Sequence, residues 1–212
     1  MRQRIAAVIT GTGEVTTREE PTPPLKENEI LIRVHASLIS PGTEMSGVIA
    51  NRQKPDPSRP AQAFGYACAG EILELQGDCP GLQAGMRVAA MGAGVAPHAN
   101  FICVPVNLVA SLPDAVGYEQ AVYGCLGATA LQSVHRTEPR LGEYGAVLGL
   151  GIVGNLAAQL YQLAGARVIG WEGVPARLDI ARACGLADLV NFRTEDPLRR
   201  TQEWAAPYGL DF

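Results

Sequence analysis

The residues with the clearest chemical potential are the glycines of one short segment, 149–154, which reads Gly-Leu-Gly-Ile-Val-Gly. This Gly-x-Gly-x-x-Gly pattern follows a short apolar run, 146–148. It also opens a stretch, 152–164, in which apolar residues recur at the spacing of an amphipathic helix. A strand, a glycine turn and a helix in this order are the context in which the pattern binds the pyrophosphate of a dinucleotide.

Each position of the turn has a physical role in such a site. Gly149 permits a tight turn, Gly151 lets the backbone approach a pyrophosphate, and Gly154 allows helix and strand to pack closely. The backbone amides of Ile152 and Val153 begin the helix, where N–H groups without helical partners and a partial positive charge attract an anion. The sequence therefore predicts diphosphate binding at residues 149–154.

An acidic residue at the end of the next predicted strand supports this interpretation. Glu172 lies eighteen residues after Gly154, where a carboxylate accepts hydrogen bonds from ribose hydroxyls and repels a 2′-phosphate. The predicted cofactor is therefore NAD in preference to NADP. The alternative is a structural glycine turn beside a solvated surface glutamate. Arg177 either lies near the adenosine edge of the site or is a surface arginine of the following helix.

The elements that must position these residues change in character along the chain. Short strands separated by Gly, Pro and Asp clusters dominate the front half and suggest a barrel-like β domain. The later part alternates strand and helix, which predicts a parallel sheet with right-handed crossovers. The predicted elements are strands 5–9, 29–35, 67–75, 87–90 and 101–104, a helix within 119–136, and then strands 145–150, 166–171 and 187–191 alternating with helices 152–164, 175–184 and 196–205.

The alternating series stops at residues 210–212, which resemble the start of a fourth strand. A doubly wound dinucleotide fold needs two such halves, and only one is present. We therefore expect the sequence to be a fragment or a shortened gene model.

Composition limits the classes of partner. The chain has 212 residues and a net charge of −4, so it gives no electrostatic reason to bind nucleic acid or an anionic membrane. It lacks both a membrane-length apolar run and the apolar region of a secretory signal, which predicts a cytoplasmic protein. Its five cysteines, with no Cys-x-x-Cys pair, favour neither a disulfide framework nor a four-cysteine zinc lobe.

With these motifs in view, the chain resembles the medium-chain dehydrogenase/reductase superfamily, the zinc alcohol dehydrogenase-like group, over essentially its whole length. Besides the glycine turn, the resemblance depends on five segments: 38–44 Leu-Ile-Ser-Pro-Gly-Thr-Glu, 64–72 Phe-Gly-Tyr-Ala-Cys-Ala-Gly-Glu-Ile, 85–88 Gly-Met-Arg-Val, 110–114 Ala-Ser-Leu-Pro-Asp, and 124–130 Gly-Cys-Leu-Gly-Ala-Thr-Ala.

The resemblance implies a fold and an activity. It implies a GroES-like β-barrel domain at 1–117 followed by the first half of a Rossmann domain at 118–212, with the active site in the cleft between such domains. The function implied is NAD(P)-dependent hydride transfer to or from a small alcohol, carbonyl or related substrate. The full-length form is expected to be a homodimer, because family members often pair through the Rossmann sheet.

At the positions of the family's zinc ligands, this chain departs from the family pattern. Where zinc members have a first cysteine ligand this chain has Pro41, and the Gly-His-Glu position reads Gly-Tyr-Ala, with Tyr66 in place of the histidine. Only Cys125 matches the last ligand, whereas catalytic zinc normally has three protein ligands. We therefore expect no zinc. A zinc-dependent alcohol or polyol dehydrogenase that uses Cys125 with unusual ligands remains an alternative.

Without a Lewis acid, a side chain must handle the proton. The resemblance places a proton-relay hydroxyl at Thr43 and a vacated histidine position at Tyr66, and either residue is catalytic or lines the cleft by packing. Glu44 relays or orients a proton, or is a structural salt-bridge or turn acceptor. Thr129 matches a family threonine near the nicotinamide, or bonds its own helical turn.

The remaining polar residues have no comparable pattern. The histidines at 35, 98 and 135 are too scattered for a metal site, and His98 is interpreted as a residue of a glycine-rich loop. The alternative from another functional class is a non-catalytic dinucleotide-binding fragment.

Overall fold

Residues 2–212 are described by a computed structural model, in which the chain divides into two units after Cys125. The second unit is Leu126–Phe212. The sequence analysis placed its domain boundary at 117/118, whereas this division falls within the helix Gly124–Thr137.

The first unit consists mainly of antiparallel strands. One sheet has three strands in the order β2-β1-β4 and the other has five in the order β7-β3-β5-β6-β8. Alternating apolar residues of these strands, among them Ile30, Ile32 and Ile72, are fully buried in its main core. The strands are β1 Gln3–Ile9, β2 Val15–Pro21, β3 Glu29–Ser37, β4 Gln62–Ala63, β5 Ala67–Gln76, β6 Arg87–Met91, β7 Phe101–Pro105 and β8 Val109–Ser111.

One helix in this unit, α1 at Pro41–Gln53, was not predicted. Only Glu44 and Val48 of its residues are buried, so the helix lacks the broad apolar stripe by which an amphipathic helix is recognised. Pro41 occupies the first turn, where the fixed φ of proline suits a helix and its missing N–H costs nothing. The segment is therefore a surface helix that begins at the family motif.

The predicted helix within 119–136 is two helices. These are α2 at Tyr118–Ala121 and α3 at Gly124–Thr137, and the chain tightens between them because the Tyr123 N–H bonds the carbonyl of Gln120, three residues back. Within residues 2–212 no helix combines the length and apolar character needed to cross a bilayer.

The second unit is a parallel sheet with helical crossovers. Its strands lie in the order β11-β10-β9, and both neighbouring pairs are parallel. Apolar residues of α4, α5 and the strands, including Ala158, Leu178 and Leu186, form its core. The elements are β9 Tyr144–Leu148, α4 Ile152–Leu163, β10 Arg167–Glu172, α5 Pro175–Ala183, β11 Asp188–Asn191 and α6 Pro197–Trp204. The predicted fold class, a β unit followed by a partial Rossmann sheet, is confirmed.

Residues 210–212 are not assigned to a strand, but they run along the free edge of β9. The Asp211 N–H donates to the carbonyl of Tyr144 at 2.8 Å, and the Ala146 N–H donates to the carbonyl of Phe212 at 3.1 Å. These bonds place the segment on the side of β9 opposite β10. The predicted start of a fourth strand therefore has the hydrogen bonding of that position without the length of a strand.

Candidate functional site

The turn between β9 and α4 has a backbone that only glycine fits at two positions. Gly149 has a φ of +86°, in the left-handed region that favours glycine, and its N–H bonds the Trp171 carbonyl at 2.8 Å. A Cβ on Gly154 would overlap the carbonyl oxygen of Gly149. The first and last glycines of the motif are therefore needed for the turn itself.

The middle glycine is different. Gly151 has a φ of −64°, which any residue adopts, and a Cβ there would meet no described atom within 4 Å. Nothing in the packing of residues 2–212 therefore explains the absence of a side chain. A ligand that approaches the backbone closely does explain it, because a Cβ would occupy that space.

The same end of α4 exposes unpaired backbone amides. Gly151 is the N-cap, and no side chain among residues 2–212 caps this end. The first helical hydrogen bond runs from the Asn155 N–H to the Gly151 carbonyl at 2.8 Å. The N–H groups of Ile152 and Val153 precede it and, by helix geometry, have no partner within the helix. The predicted diphosphate-binding amides thus stand at a helix end suited to an anion.

Glu172 is the charged residue that contacts this turn. Its Oε2 accepts the Leu150 N–H at 3.0 Å, and its Oε1 accepts the N–H groups of Gly173 at 2.7 Å and Val174 at 3.0 Å. The Arg177 guanidinium lies 3.4 Å from Oε2. The side chain is only 5% exposed. The structure therefore brings together the turn and the carboxylate that the sequence analysis paired.

These contacts set the protonation of the carboxyl. Burial by itself raises the pKa of Glu172, but the three backbone N–H donors and the Arg177 guanidinium together lower the pKa below its ordinary value. A carboxylate accepts about four hydrogen bonds, and four donors surround this one. A ribose hydroxyl would therefore have to displace a donor. Arg177 is the most easily displaced, because its contact is the longest and its side chain is 54% exposed.

The remaining predicted cofactor residue, Thr129, lies on α3 and is exposed. The residues proposed for proton handling belong to the first unit, where Thr43 and Glu44 begin α1. Thr43 is exposed and Glu44 is buried. The Glu44 Oε1 accepts the Ser40 N–H at 3.2 Å, so the side chain reaches back to the start of its own helix.

His98 is the residue that the sequence analysis did not connect with this group. Its Nε2 lies 3.0 Å from the Glu44 Oε2, and its Nδ1 lies 2.9 Å from the Ser37 hydroxyl at the end of β3. The ring is also fixed by its neighbours: it packs edge-on against Phe64, and a Cβ on Gly65 would lie 2.7 Å from its Cδ2. The imidazole therefore has one orientation, with a carboxylate on one nitrogen and a hydroxyl on the other.

Of the three predicted proton-handling residues, Glu44 bonds the ring of His98. Thr43 precedes Glu44 in the sequence, and Tyr66 follows Gly65, whose backbone packs against the ring. No local motif could have revealed His98 or Ser37, since they lie 54 and 61 positions from their partners. The sequence does contain a glycine at position 65. The structure accounts for it, because Gly65 has a φ of +107° and its backbone packs against the His98 ring.

The side chains at the positions where the resemblance implies the first two zinc ligands do not fit a catalytic zinc ion. Pro41 has no ligating side chain, and the Tyr66 phenol is a poor substitute for histidine. Within residues 2–212 no three His, Cys, Asp or Glu side chains are grouped so as to hold a metal ion.

No protein-family model matches the chain, but individual proteins do. It is 25% identical to sorbitol dehydrogenase of Bacillus subtilis over 97% of its own length and 66% of that enzyme. It is 29% identical to quinone oxidoreductase of Salmonella typhimurium over 70% of its length and 46% of the relative. The structure of an alcohol dehydrogenase superfamily protein from Novosphingobium aromaticivorans superposes with a TM-score of 0.75 at 26% identity, covering 91% of this chain and 59% of that one.

The curated and solved proteins that match are members of the medium-chain dehydrogenase/reductase superfamily, and the chain is similar to them over most of its length. It spans less than two thirds of the length of these three relatives, at 66%, 46% and 59%. The resemblance stated from the sequence is therefore confirmed for the superfamily and the fold.

The protonation of Glu172 gives a testable consequence for the second unit. Because its pKa is lowered in the folded protein, its contribution to stability is complete above its ordinary pKa and is lost as the pH falls through the lowered value. Glu172→Gln should reduce the free energy of unfolding at neutral pH by roughly 1–3 kcal/mol, since it weakens hydrogen bonds to a buried charged acceptor. The loss should shrink in acid.

Denaturant unfolding followed by tryptophan fluorescence measures this effect, because both tryptophans, Trp171 and Trp204, lie in the second unit. Glu203→Gln is the matched control: that carboxylate is half exposed in an ion pair with Arg199 and should contribute little at any pH. A Glu172→Gln deficit that stays constant from neutral to acid pH would contradict the assignment.

Proposed function

We propose that the protein is an NAD(P)-dependent oxidoreductase that transfers hydride between a nicotinamide ring and a small alcohol, carbonyl or related substrate. The observation that carries the proposal is the joint geometry of the glycine turn and Glu172, where an uncapped helix end and an unfilled Gly151 position adjoin a buried carboxylate. Similarity to dehydrogenases and reductases of the superfamily supports the same conclusion. A small-molecule substrate and a cytoplasmic location are parts of this proposal.

The nicotinamide supplies the hydride chemistry when it is bound, and the chain supplies binding and proton handling. The amides of Ile152 and Val153 hold the diphosphate, and Glu172 receives the adenosine ribose hydroxyls after Arg177 moves aside. Thr129 lies toward the nicotinamide, as the family resemblance suggests. Thr43 and Tyr66 line the substrate region near the ordered His98–Glu44 pair.

The turn can be tested by a pair of glycine variants. Gly151→Ala should fold normally, since the added Cβ meets no atom, yet weaken NADH binding at least about tenfold because it blocks the approach of the diphosphate. Gly154→Ala should instead destabilise the second unit, because its Cβ overlaps the Gly149 carbonyl. Calorimetric titration with NADH and thermal unfolding separate the two effects.

Gly127→Ala is the control, because its Cβ also meets no atom but the residue lies on α3, outside the turn. It should leave both NADH affinity and stability unchanged. Normal NADH binding by folded Gly151→Ala, or no NADH binding by the unaltered chain, would refute the assignment of the turn.

We propose NAD as the preferred coenzyme. The buried charge of Glu172 opposes a 2′-phosphate, and Arg177 only partly balances it. The unaltered protein should bind NADH at least about tenfold more tightly than NADPH, a difference of about 1.4 kcal/mol. Arg177→Ala should widen this ratio by removing the cation that pairs with Glu172, and Glu172→Gln should narrow it. Tighter binding of NADPH by the unaltered protein would reverse the conclusion.

We also propose that hydride transfer proceeds without zinc. Protein purified in zinc-supplemented medium should contain far less than one zinc per chain after dialysis against a chelator, and chelation should not alter oxidation of sorbitol or reduction of benzoquinone, the substrate classes of the two curated relatives. Cys125→Ser should behave the same way. Zinc retained at one ion per chain, and lost in Cys125→Ser, would establish the zinc-dependent alternative instead.

A further inference from the structure

We propose that Ser37, His98 and Glu44 form a proton-transfer chain, in which the Ser37 hydroxyl exchanges a proton with the oxygen of the substrate. The inference rests on the proposed oxidoreductase function and names the groups that handle its proton. In this proton-transfer chain Ser37 is the catalytic residue. His98 takes up the Ser37 proton, and Glu44 is a positioning residue that acts through His98.

The three groups run from the surface into the interior. The Ser37 hydroxyl is exposed, the His98 side chain is 10% exposed and the Glu44 side chain is 5% exposed. The two hydrogen bonds between them are 2.9 and 3.0 Å long, within the range at which a proton moves directly between heavy atoms. A substrate oxygen in contact with Ser37 would thus connect to a buried carboxylate through one imidazole.

The chemistry of the partners fixes the tautomer of the ring. A carboxylate only accepts hydrogen bonds, so the Glu44 Oε2 must receive the Nε2–H of a neutral His98. The lone pair of Nδ1 then faces Ser37 and accepts its hydroxyl proton. When that proton arrives, the imidazolium is stabilised by the carboxylate behind it. A nucleophile or relay hydroxyl, a base and an orienting acid in this order are the parts of an activated serine.

Stability alone does not account for this arrangement. Burying an imidazole against a carboxylate costs desolvation energy, and apolar residues of similar size often stabilise a core as well or better. The surroundings also position both partners: the Ser40 N–H bonds the other oxygen of Glu44, and the ring lies against the Gly65 backbone and the Phe64 ring. Fixed geometry of this kind suits a group that must transfer a proton without reorganisation.

The resulting step balances in both directions. In oxidation, the alcohol O–H passes its proton to the Ser37 oxygen as the Ser37 proton moves to the His98 Nδ1. The C–H bond breaks and its hydride, with two electrons, leaves to the oxidised nicotinamide. The imidazolium later returns its proton to solvent through Ser37. Reduction starts from the imidazolium, formed when the His98 Nδ1 has taken a proton from solvent: the carbonyl carbon gains hydride from the reduced nicotinamide, its oxygen takes the Ser37 proton, and the His98 Nδ1–H returns a proton to Ser37, which leaves His98 neutral.

The first test does not depend on turnover. A serine hydroxyl that transfers its proton to histidine reacts with p-nitrophenyl acetate: the Ser37 oxygen bonds the acetyl carbon, p-nitrophenolate leaves, and the proton moves to His98. Mass spectrometry of peptides measures acetylation of Ser37 against Ser46, an exposed serine on α1 whose hydroxyl bonds the Thr43 carbonyl and no histidine. We expect Ser37 to react at least about tenfold faster, because an adjacent base activates it.

Two variants test whether the reactivity of Ser37 depends on His98 and Glu44. His98→Gln keeps a donor for Glu44 but removes the base, and Glu44→Gln keeps the size of the side chain but cannot hold the ring as a carboxylate does. Both should reduce acetylation of Ser37 to the rate of Ser46, with the melting temperature recorded for each. If His98→Gln fails to fold, Glu44→Gln decides the result. Equal acetylation of Ser37 and Ser46 in the unaltered chain would overturn the proposal.

The second test measures turnover of sorbitol and benzoquinone with NADH affinity recorded in parallel. Ser37→Ala and His98→Gln should lower kcat by about 10²–10⁴, the usual contribution of a positioned acid or base, with little change in KM or in NADH affinity. His135→Gln, an exposed histidine near the end of α3, is the control and should keep full activity.

The outcomes separate the two proposals. Active protein in which Ser37→Ala and His98→Gln retain kcat would overturn the proton chain and leave the oxidoreductase standing. Protein that binds no NADH would refute the proposed function, and the acetylation rates would then decide on their own whether His98 activates Ser37.

Discussion

A carboxylate removed from water must find donors for its oxygens, and at Glu172 this requirement shapes the second unit. The donors are backbone amides of two loops, one after β9 at Leu150 and one after β10 at Gly173 and Val174. One side chain thereby connects the glycine turn to the end of the neighbouring strand. The parallel pairing of β9 and β10 brings the two loops to the same edge of the sheet, and the carboxylate fixes them there.

This constraint also indicates how the proposed cofactor site would bind and release a ligand. Three of the four donors are backbone groups that cannot leave without unfolding their loops, whereas the fourth, Arg177, is a long side chain with more than half of its surface exposed. A hydroxyl that replaces the guanidinium keeps the carboxylate satisfied. Binding then exchanges one donor for another at a buried charge, which avoids the large cost of leaving that charge unpaired.

The sequence predicted the elements of the second unit better than those of the first. From β9 onward, hydrophobic periodicity, the glycine pattern and the turn residues predicted every strand and helix to within a residue or two, whereas α3 was predicted as part of one longer helix. In the first unit, four elements were missed. The strands β4 and β8 are only two and three residues long, β2 consists mostly of exposed Thr, Arg and Glu residues, and α1 buries only two side chains. The helix α1 is also held by residues about 40 positions away, since Asn51 and Arg52 bond the carbonyls of Thr10 and Gly13, and a local pattern does not record such contacts.

The same reason explains why the turn at 149–154 was found and the pairing of His98 was not. A diphosphate site is built from consecutive backbone amides and so leaves a compact signature, whereas Ser37, Glu44 and His98 are joined only by the tertiary structure. A histidine with a carboxylate on one nitrogen is the unit that proteins use to aim the other nitrogen at a metal ion. Here the other nitrogen faces a hydroxyl, and the two metal-ligand positions of the family hold Pro41 and Tyr66. In the proposed proton-transfer chain this oriented imidazole accepts a proton, which is the part of zinc chemistry that a side chain can supply.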